Sequence, residues 1–279
     1  MRRLVVGCGY LGERVARLWR EAGDEVYATT RGARVDELSR AGLRPLVVDV
    51  TRHSVADALP EVETVLFAVG RSRLSDTTMV DIHVTGLRTV LDALPASTGR
   101  VIYVSTTGVY AQDAGEWVDE ASATEPLREG GKACLSAERL LFAHARGGDA
   151  VVLRMAGLYG HGRIPREKDI VLGRSIAGSP EAYLNLIHVD DAARAVVVAA
   201  DLPQSRGRTY VLSDSHPATR GEYVGVVAAE LGFPPPPFTG GSGRGKRVRN
   251  TSTVNALDLQ LRYPSFREGL TASGRALGR

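Results

Sequence analysis

Three glycines near the beginning of the chain have the type and spacing of a phosphate-binding turn. Gly7, Gly9 and Gly12 follow the apolar residues 4–6 and precede an amphipathic segment, so a strand, a turn and a helix are predicted in that order. In such a unit the first glycine permits a tight turn, the second lets a diphosphate approach the backbone, and the third lets the helix pack on the strand. The N–H groups and dipole of the helix N-terminus favour a dianionic pyrophosphate. The pattern predicts a dinucleotide site, with an ordinary strand–helix turn as the alternative.

The end of the second predicted strand carries the residues that would choose between NAD and NADP. An acidic residue at this point would accept the adenosine ribose hydroxyls of NAD, whereas an arginine accommodates the 2′-phosphate of NADP. The strand ends at Thr30 and Arg31, with Arg34 close behind and no carboxylate at the tip. Hydroxyl and guanidinium groups bind phosphate, so NADP is predicted in preference to NAD. The alternative is that Arg31 and Arg34 are solvated loop charges.

Three further strand ends carry small or polar residues. Asp49 and Val50 follow the third strand, where the carboxylate either accepts a hydrogen bond from an adenine amino group or caps the next turn. Residues 68–70 follow the fourth strand and are small enough for the backbone to run beside a cofactor. The fifth strand opens into three hydroxyl side chains at residues 105–107, at the edge where open parallel sheets bind ligands.

The elements that must position these residues alternate between strands and helices. Strands are predicted over residues 4–6, 25–29, 43–48, 64–68, 100–105, 151–155, 183–187 and 209–212. Helices are predicted over residues 11–22, 78–94, 129–145 and 188–200 and near 224–231, whereas residues 113–126 and 240–249 are predicted to be loops. The fold class is therefore α/β, a doubly wound parallel (Rossmann) sheet with a small C-terminal substrate lobe. Residues 1–155 form the predicted nucleotide-binding domain, to which 183–200 return, and 156–279 form mainly the lobe.

Composition narrows the class of protein further. The 279 residues include 35 basic and 32 acidic side chains, and this near balance gives no general reason to expect a nucleic-acid partner. Two cysteines, Cys8 and Cys134, are too few for a disulfide framework, which favours a reduced compartment. The sequence has no stretch of ~18 apolar residues, so no membrane partner is expected and a cytoplasmic location is predicted. No metal site is predicted.

With these pieces in place, the chain resembles the extended short-chain dehydrogenase/reductase superfamily, which includes nucleotide-sugar epimerases and dehydratases. The resemblance is carried by GCGYLG at 7–12, DV at 49–50, VTGLRTVL at 84–91, VSTTGVY at 104–110, LRMAGLYG at 153–160 and IHVDD at 187–191. These motifs are spread over about four fifths of the chain in the expected order. The resemblance implies an NAD(P)-binding sheet, a C-terminal substrate lobe and, by analogy, a homodimer.

The resemblance also implies a catalytic hydroxyl, which aligns with Thr106, and a tyrosine followed four residues later by a lysine. None of the nine tyrosines has a lysine at that spacing. Lys132 is preceded there by Arg128, and alignment through Glu138 instead gives Gly130 and Cys134. His83 stands where the family commonly has asparagine. The chain therefore resembles the atypical, epimerase-like branch that keeps the cofactor site and loses the standard catalytic pair.

These observations predict an NADP-binding oxidoreductase or epimerase/dehydratase-like protein that acts on a small polar or nucleotide-linked substrate. The alternative is a catalytically inactive NADP-binding sensor or scaffold. Residues 108–128 and 156–168 are expected to hold the substrate, and the candidates for a replacement acid or base are Tyr110, Tyr159, Arg128 and His83. The predicted catalytic residues are Thr106, Lys132 and Tyr110. The predicted cofactor-binding residues are Gly7, Gly9, Tyr10, Leu11, Gly12, Thr30, Arg31, Arg34, Asp49, Val50, Ala68, Val69, Gly70, His83, Ser105 and Lys132.

Overall fold

The computed structural model describes residues 1–51, 55, 59–70 and 76–274 of the chain. The strands are β1 (Arg2–Val6), β2 (Glu25–Thr30), β3 (Arg44–Val47), β4 (Thr64–Phe67), β5 (Arg100–Thr106), β6 (Ala114–Val118), β7 (Val151–Met155), β8 (Gly157–Tyr159), β9 (Tyr183–Leu184), β10 (Leu186–His188), β11 (Arg208–Leu212), β12 (Ala218–Thr219) and β13 (Gly245–Val248). The helices are α1 (Gly12–Glu21), α2 (Val35–Arg40), α3 (Gly86–Ala93), α4 (Glu129–Ala143), α5 (Glu167–Val171), α6 (Val189–Asp201), α7 (Arg220–Leu231), α8 (Thr251–Ala256) and α9 (Phe266–Gly274). A π-helical turn, Asp81–Thr85, leads directly into α3.

Seven strands form one sheet in the order β11-β7-β5-β4-β1-β2-β3. β1 pairs in parallel with both β2 and β4, and the chain leaves β1 toward β2 before it crosses to β4 on the other side. The strand order thus reverses beside β1, and ligands of open α/β sheets bind at the carboxyl ends of the strands at such a point. The predicted doubly wound sheet is confirmed.

The strands of this sheet are apolar because helices cover both faces. Leu4, Val5 and Val6 have no exposed surface, and the same holds for Val101 and Ile102 of β5. Continuous apolar runs of this kind are typical of strands buried on both faces. Because side chains on both faces of β1 are buried, the position of this strand, which precedes the glycine turn, is fixed within the sheet.

The described chain divides into two compact units. Unit 1 comprises Met1–Val109, Thr124–Arg154 and Ala193–Tyr210, and unit 2 comprises Tyr110–Ala123, Met155–Ala192 and the chain from Val211 onward. Within unit 2, short strands pair as β10 with β8, β12 with β9 and β13 with β6. Helix α7 begins at a capping box in which the Thr219 hydroxyl accepts the N–H of Glu222. Its Tyr223 lies in the core of unit 2, together with Phe266 of α9. The assignment of residues 1–155 to nucleotide binding and of residues 156–279 mainly to substrate binding stays a prediction.

Three details of the sequence-based elements are wrong. Residues 113–126 and 240–249 were expected to be loops, but they contribute β6 and β13, which pair in parallel. Residues 183–187 are not a strand of the main sheet but the two short strands β9 and β10 of unit 2. In each case the pairing joins segments far apart in sequence, and a local sequence pattern does not identify a distant pairing partner.

No helix among the described residues is both long enough and apolar enough to cross a membrane. The same residues contain no cluster of three or more histidine, cysteine or acidic side chains placed to hold a metal ion.

Candidate functional site

The three glycines of the turn each meet a different local constraint. Gly7 has a φ of 90°, and a Cβ there would lie 2.7 Å from the backbone of Ala68 and Val69. A Cβ at Gly12 would overlap the carbonyl oxygen of Gly7 and lie 2.9 Å from a methyl group of Val5, so its absence lets α1 approach β1. A Cβ at Gly9 would meet nothing within 4 Å. The turn therefore has open space at the position where a diphosphate would approach the backbone.

The turn is held from β2 as well as by its own backbone. The N–H of Gly7 donates to the hydroxyl of Thr29 at 3.1 Å, and the N–H of Gly9 donates to the carbonyl of Gly7 at 2.8 Å. Thr29 was not among the predicted site residues. Its buried hydroxyl supports the turn by accepting this hydrogen bond, a contact that the sequence alone does not show. Tyr10 and Leu11 continue the turn, with Leu11 buried and Tyr10 half-buried.

Arg34 lies against the glycine turn, where two carboxylates bind it. Its Nη1 donates to the carbonyl of Cys8 at 2.5 Å, and its Nη2 donates to Glu13 Oε2 at 2.8 Å. Its Nε and Nη2 also donate to the two carboxylate oxygens of Glu37, at 2.8 and 2.5 Å. These bonds, chiefly those with Glu37, raise the pKa of Arg34. Arg34 is thus at the predicted place but is not a free cation.

Arg31 and Thr30 differ from Arg34 in their surroundings. Arg31 is exposed, and no hydrogen bond or ion pair of its side chain occurs within the described part of the chain. The hydroxyl of Thr30 accepts the N–H of Gly32 at 3.3 Å, which shapes the turn after β2. Of the two arginines proposed to meet a 2′-phosphate, Arg31 is the one with an unengaged guanidinium.

The other predicted cofactor contacts lie at the ends of β3 and β4. Oδ1 of Asp49 accepts the N–H and the hydroxyl of Thr51 at 3.0 and 2.7 Å, so this carboxylate does cap a turn. Val50 is buried, while Ala68 and Val69 are half-buried and Gly70 is exposed. The N–H of Ala68 bonds to the carbonyl of Val6 at 2.8 Å, which extends the β1–β4 pairing up to the glycine turn.

The hydroxyl groups at the end of β5 have separate partners. Ser105 donates to Glu138 of α4 at 2.5 Å, and Glu138 also accepts three hydrogen bonds from Nε and Nη2 of Arg154 on β7. All three side chains are buried, so this network fixes the register of α4 against the sheet. The hydroxyl of Thr106 accepts the N–H of Gly108 at 3.0 Å, which leaves its own hydrogen available to another acceptor.

His83 lies in the π-helical turn, buried against β5. Its Nδ1 and the hydroxyl of Tyr103 are 2.8 Å apart, and the same hydroxyl is hydrogen-bonded to the thiol of Cys134. Burial lowers the pKa of His83 to about 4 and raises that of Cys134 to about 11. The histidine and the cysteine are therefore joined through Tyr103 in a neutral chain at pH 7.

The register of α4 bears on the two alignments of its missing tyrosine–lysine pair. Because Glu138 is fixed on Ser105, the position one turn earlier on the same face is Cys134, which is buried. Lys132 is exposed, and no partner of its side chain occurs among the described residues. Gly131, next to it, packs so tightly that a Cβ would overlap the carbonyl oxygen of Gly108. The geometry favours the alignment that places Gly130 and Cys134 at the two positions, and the catalytic role of Lys132 stays a prediction.

The tyrosines proposed as replacement acids belong to unit 2. Tyr110 is buried, and its hydroxyl donates to the carbonyl of Asp119 at 2.8 Å. Tyr159 is also buried; its hydroxyl donates to the carbonyl of Ser265 at 3.2 Å, and burial raises its pKa. Both hydroxyls thus make hydrogen bonds that stabilise the fold of unit 2. Arg128, the remaining candidate, is exposed at the start of α4.

Comparisons with known proteins agree with this geometry. Residues 3–213 match the model of the NAD-dependent epimerase/dehydratase family. Protein YeeZ of Escherichia coli K12 is 28% identical over 274 residues, which covers 93% of this chain and 95% of that protein. A putative NAD-dependent epimerase/dehydratase from Methylobacillus flagellatus is 28% identical, with a TM-score of 0.77 over 99% of this chain and 98% of that one. The UDP-glucuronic acid 4-epimerase of Bacillus cereus, solved in complex with NAD, has a TM-score of 0.81 at 17% identity, over 99% of both chains, and shares the fold.

Proposed function

The chain belongs to the NAD-dependent epimerase/dehydratase family, and on that premise we propose that it is an NADP-binding oxidoreductase or epimerase/dehydratase-like enzyme. Its substrate in this proposal is small and polar or linked to a nucleotide. The proposal rests on the open space over Gly9. This space lies between Gly7, where the chain makes a tight turn, and Gly12, where the helix packs against the strand. We also propose a cytoplasmic location and a homodimer.

The residues at the carboxyl edge of the sheet fit a nicotinamide dinucleotide. The backbone from Gly9 to Gly12 would hold the diphosphate at the N-terminus of α1, and residues 68–70 would run beside it. When bound, such a cofactor supplies a hydride donor or acceptor. Arg31, which is exposed and has no side-chain partner among the residues that the structure describes, supports NADP over NAD, because a guanidinium binds a phosphate dianion by charge-assisted hydrogen bonds.

Thr106 is the residue best placed to act on a substrate oxygen. Because its oxygen already accepts the N–H of Gly108, its hydroxyl is oriented and can donate its hydrogen to a substrate carbonyl or hydroxyl. His83 is neutral at pH 7, so it could orient a group or relay a proton but does not bring a positive charge. The proton for the reaction would then come from water or from one of the proposed acid groups.

A second function is favoured by one specific observation. The alignment of α4 through Glu138 puts Gly130 and Cys134 at the positions of the family's tyrosine and lysine, and neither side chain can act as the usual proton relay. This supports a sensor or scaffold in which NADP occupancy orders the protein without turnover.

Two readouts on a panel of carbonyl and sugar-nucleotide substrates separate the two functions. Consumption of NADPH detects an oxidoreductase, and analysis of the products formed with NADP⁺ detects an epimerase or dehydratase, because such an enzyme returns its cofactor unchanged. An enzyme should turn over at least one substrate, Thr106→Ala should lower kcat, and Thr106→Ser should restore it because the hydroxyl is kept. Lys132→Ala tests another predicted catalytic residue, which lies on α4, and should also lower kcat if that role holds. Turnover that is unaffected by Thr106→Ala would refute the site assignment, and cofactor binding without turnover would favour the sensor.

A further inference from the structure

The guanidinium of Arg34 forms its most extensive contact with a carboxylate of the same helix. Nε and Nη2 of Arg34 donate to the two oxygens of Glu37, at 2.8 and 2.5 Å, in the two-pronged geometry that guanidinium groups also use for phosphate. The third nitrogen of the guanidinium, Nη1, donates to the carbonyl of Cys8 in the glycine turn. Arg34 thus lies between the loop after β2 and the turn, which is where this fold places the 2′-phosphate of NADP.

The charges around Arg34 do not favour an incoming dianion. The guanidinium of Arg34 faces the carboxylates of Glu13 and Glu37, and Arg17 pairs with Glu13, so these four side chains together carry no net charge. Within the described part of the chain, Arg31 is a nearby cation in sequence whose side chain makes no hydrogen bond or ion pair. A 2′-phosphate would gain a two-pronged contact with Arg34 only by replacing a carboxylate, because four of the five N–H groups already make hydrogen bonds, whereas NADH carries no 2′-phosphate to compete for this guanidinium.

Glu37 is the carboxylate that a phosphate would replace. Its side chain is 54% exposed, and its partner within these contacts is Arg34, whereas Glu13 is 37% exposed and also pairs with Arg17 on α1. The hydrogen bonds from Arg34 lower the pKa of Glu37, so it stays ionised and bound at neutral pH. Glu37 occupies the Nε–Nη2 edge, and one edge of a guanidinium holds one anion in this way at a time.

Resting on the proposed cofactor, we infer that Glu37 sets the preference between NADPH and NADH by competing with the 2′-phosphate for Arg34. In the absence of ligand, Glu37 closes the phosphate-binding edge of Arg34. NADPH must open this pair on binding, and NADH need not. Glu37 therefore lowers the advantage that Arg31 and Arg34 would otherwise give to NADPH.

Titration calorimetry with NADPH and NADH on the full chain tests the inference in the wild type, Glu37→Gln and Asp36→Asn. Asp36 is the matched control because it is the neighbouring acidic residue on α2, and Arg34 makes its side-chain ion pairs in the described residues with Glu13 and Glu37 instead. Glu37→Gln should tighten NADPH binding about 3- to 10-fold and change NADH binding less than about twofold, since an exposed ion pair contributes modestly. Asp36→Asn should change both affinities less than about twofold.

Adenosine 2′,5′-bisphosphate and 5′-AMP provide a second readout with the same three proteins. The bisphosphate should gain affinity in Glu37→Gln and 5′-AMP should not. An unchanged NADPH-to-NADH ratio in Glu37→Gln, or an equal change in Asp36→Asn, overturns the role of Glu37 and leaves the proposed cofactor intact. Failure of both dinucleotides to bind any of the proteins overturns the proposed cofactor and the inference together.

Discussion

Substitution of Gly9 by alanine separates the fold of the glycine turn from its proposed function. Gly9 does not have a positive φ, and its Cβ would meet no atom within 4 Å, so the folded chain accommodates the methyl group. The hydrogen bonds through Gly9, to the carbonyl of Gly7 and from the N–H of Glu13, use its backbone and are kept. The free energy of unfolding should therefore change by less than about 1 kcal/mol, with a small gain from the lower entropy of the unfolded chain.

The same methyl group lies where the diphosphate would approach. A methyl group forced into an occupied space typically costs about 1–3 kcal/mol, which corresponds to a loss of roughly 5- to 150-fold in affinity for either dinucleotide. Calorimetric titration with NADPH and NADH measures the loss, and denaturant unfolding measures stability. Gly148→Ala is the matched control, since Gly148 also has open space at its Cβ but lies outside the turn. A folded Gly9→Ala protein that binds both cofactors as tightly as the wild type would refute the assignment of the diphosphate to this turn.

Three further predictions concern single side chains. Arg31→Ala should weaken NADPH binding by about 1–3 kcal/mol in titration calorimetry and leave NADH binding unchanged, and equal losses for the two would contradict the NADP proposal. Gly12→Ala should lower the free energy of unfolding by about 1–3 kcal/mol in urea, because its Cβ overlaps the Gly7 carbonyl and crowds Val5; an unchanged midpoint would contradict the packing argument. Burial raises the pKa of Asp214 from 3.8 to about 8, so the contribution of this carboxyl group to stability should be largest below pH ~4 and fall by up to about 1.4 kcal/mol per pH unit toward pH 8. Asp214→Asn should flatten this dependence in unfolding curves measured between pH 4 and pH 8, and parallel slopes for the two proteins would contradict it.

The parts of the site that depend on local sequence could be predicted, and those that depend on distant partners could not. The glycine turn follows from spacing, because the roles of Gly7 and Gly12 require only the strand before the turn and the helix after it. The ion pairs of Arg34 depend on where the fold brings Glu13, which lies on a different helix. The pair with Glu37, by contrast, is local, because Glu37 follows Arg34 at the i,i+3 spacing of neighbouring helical side chains.

The helix that carries Lys132 shows the same limit. Its amphipathic pattern predicts a helix over residues 129–145, and the structure has α4 at Glu129–Ala143. The buried network of Glu138, Ser105 and Arg154 determines which face of α4 packs on the sheet. Its three members come from three separate elements. The contact of His83 with Tyr103 likewise joins a π-helical turn to β5, and the predicted cofactor role of His83 remains a prediction.

The most direct test of the central claim is titration calorimetry of the wild-type protein with NADPH and NADH. A dinucleotide site at the glycine turn predicts saturable binding at one molecule per chain for at least one of them, with NADPH the tighter ligand. Absence of heat and of any shift in melting temperature with either cofactor at millimolar concentration would contradict it.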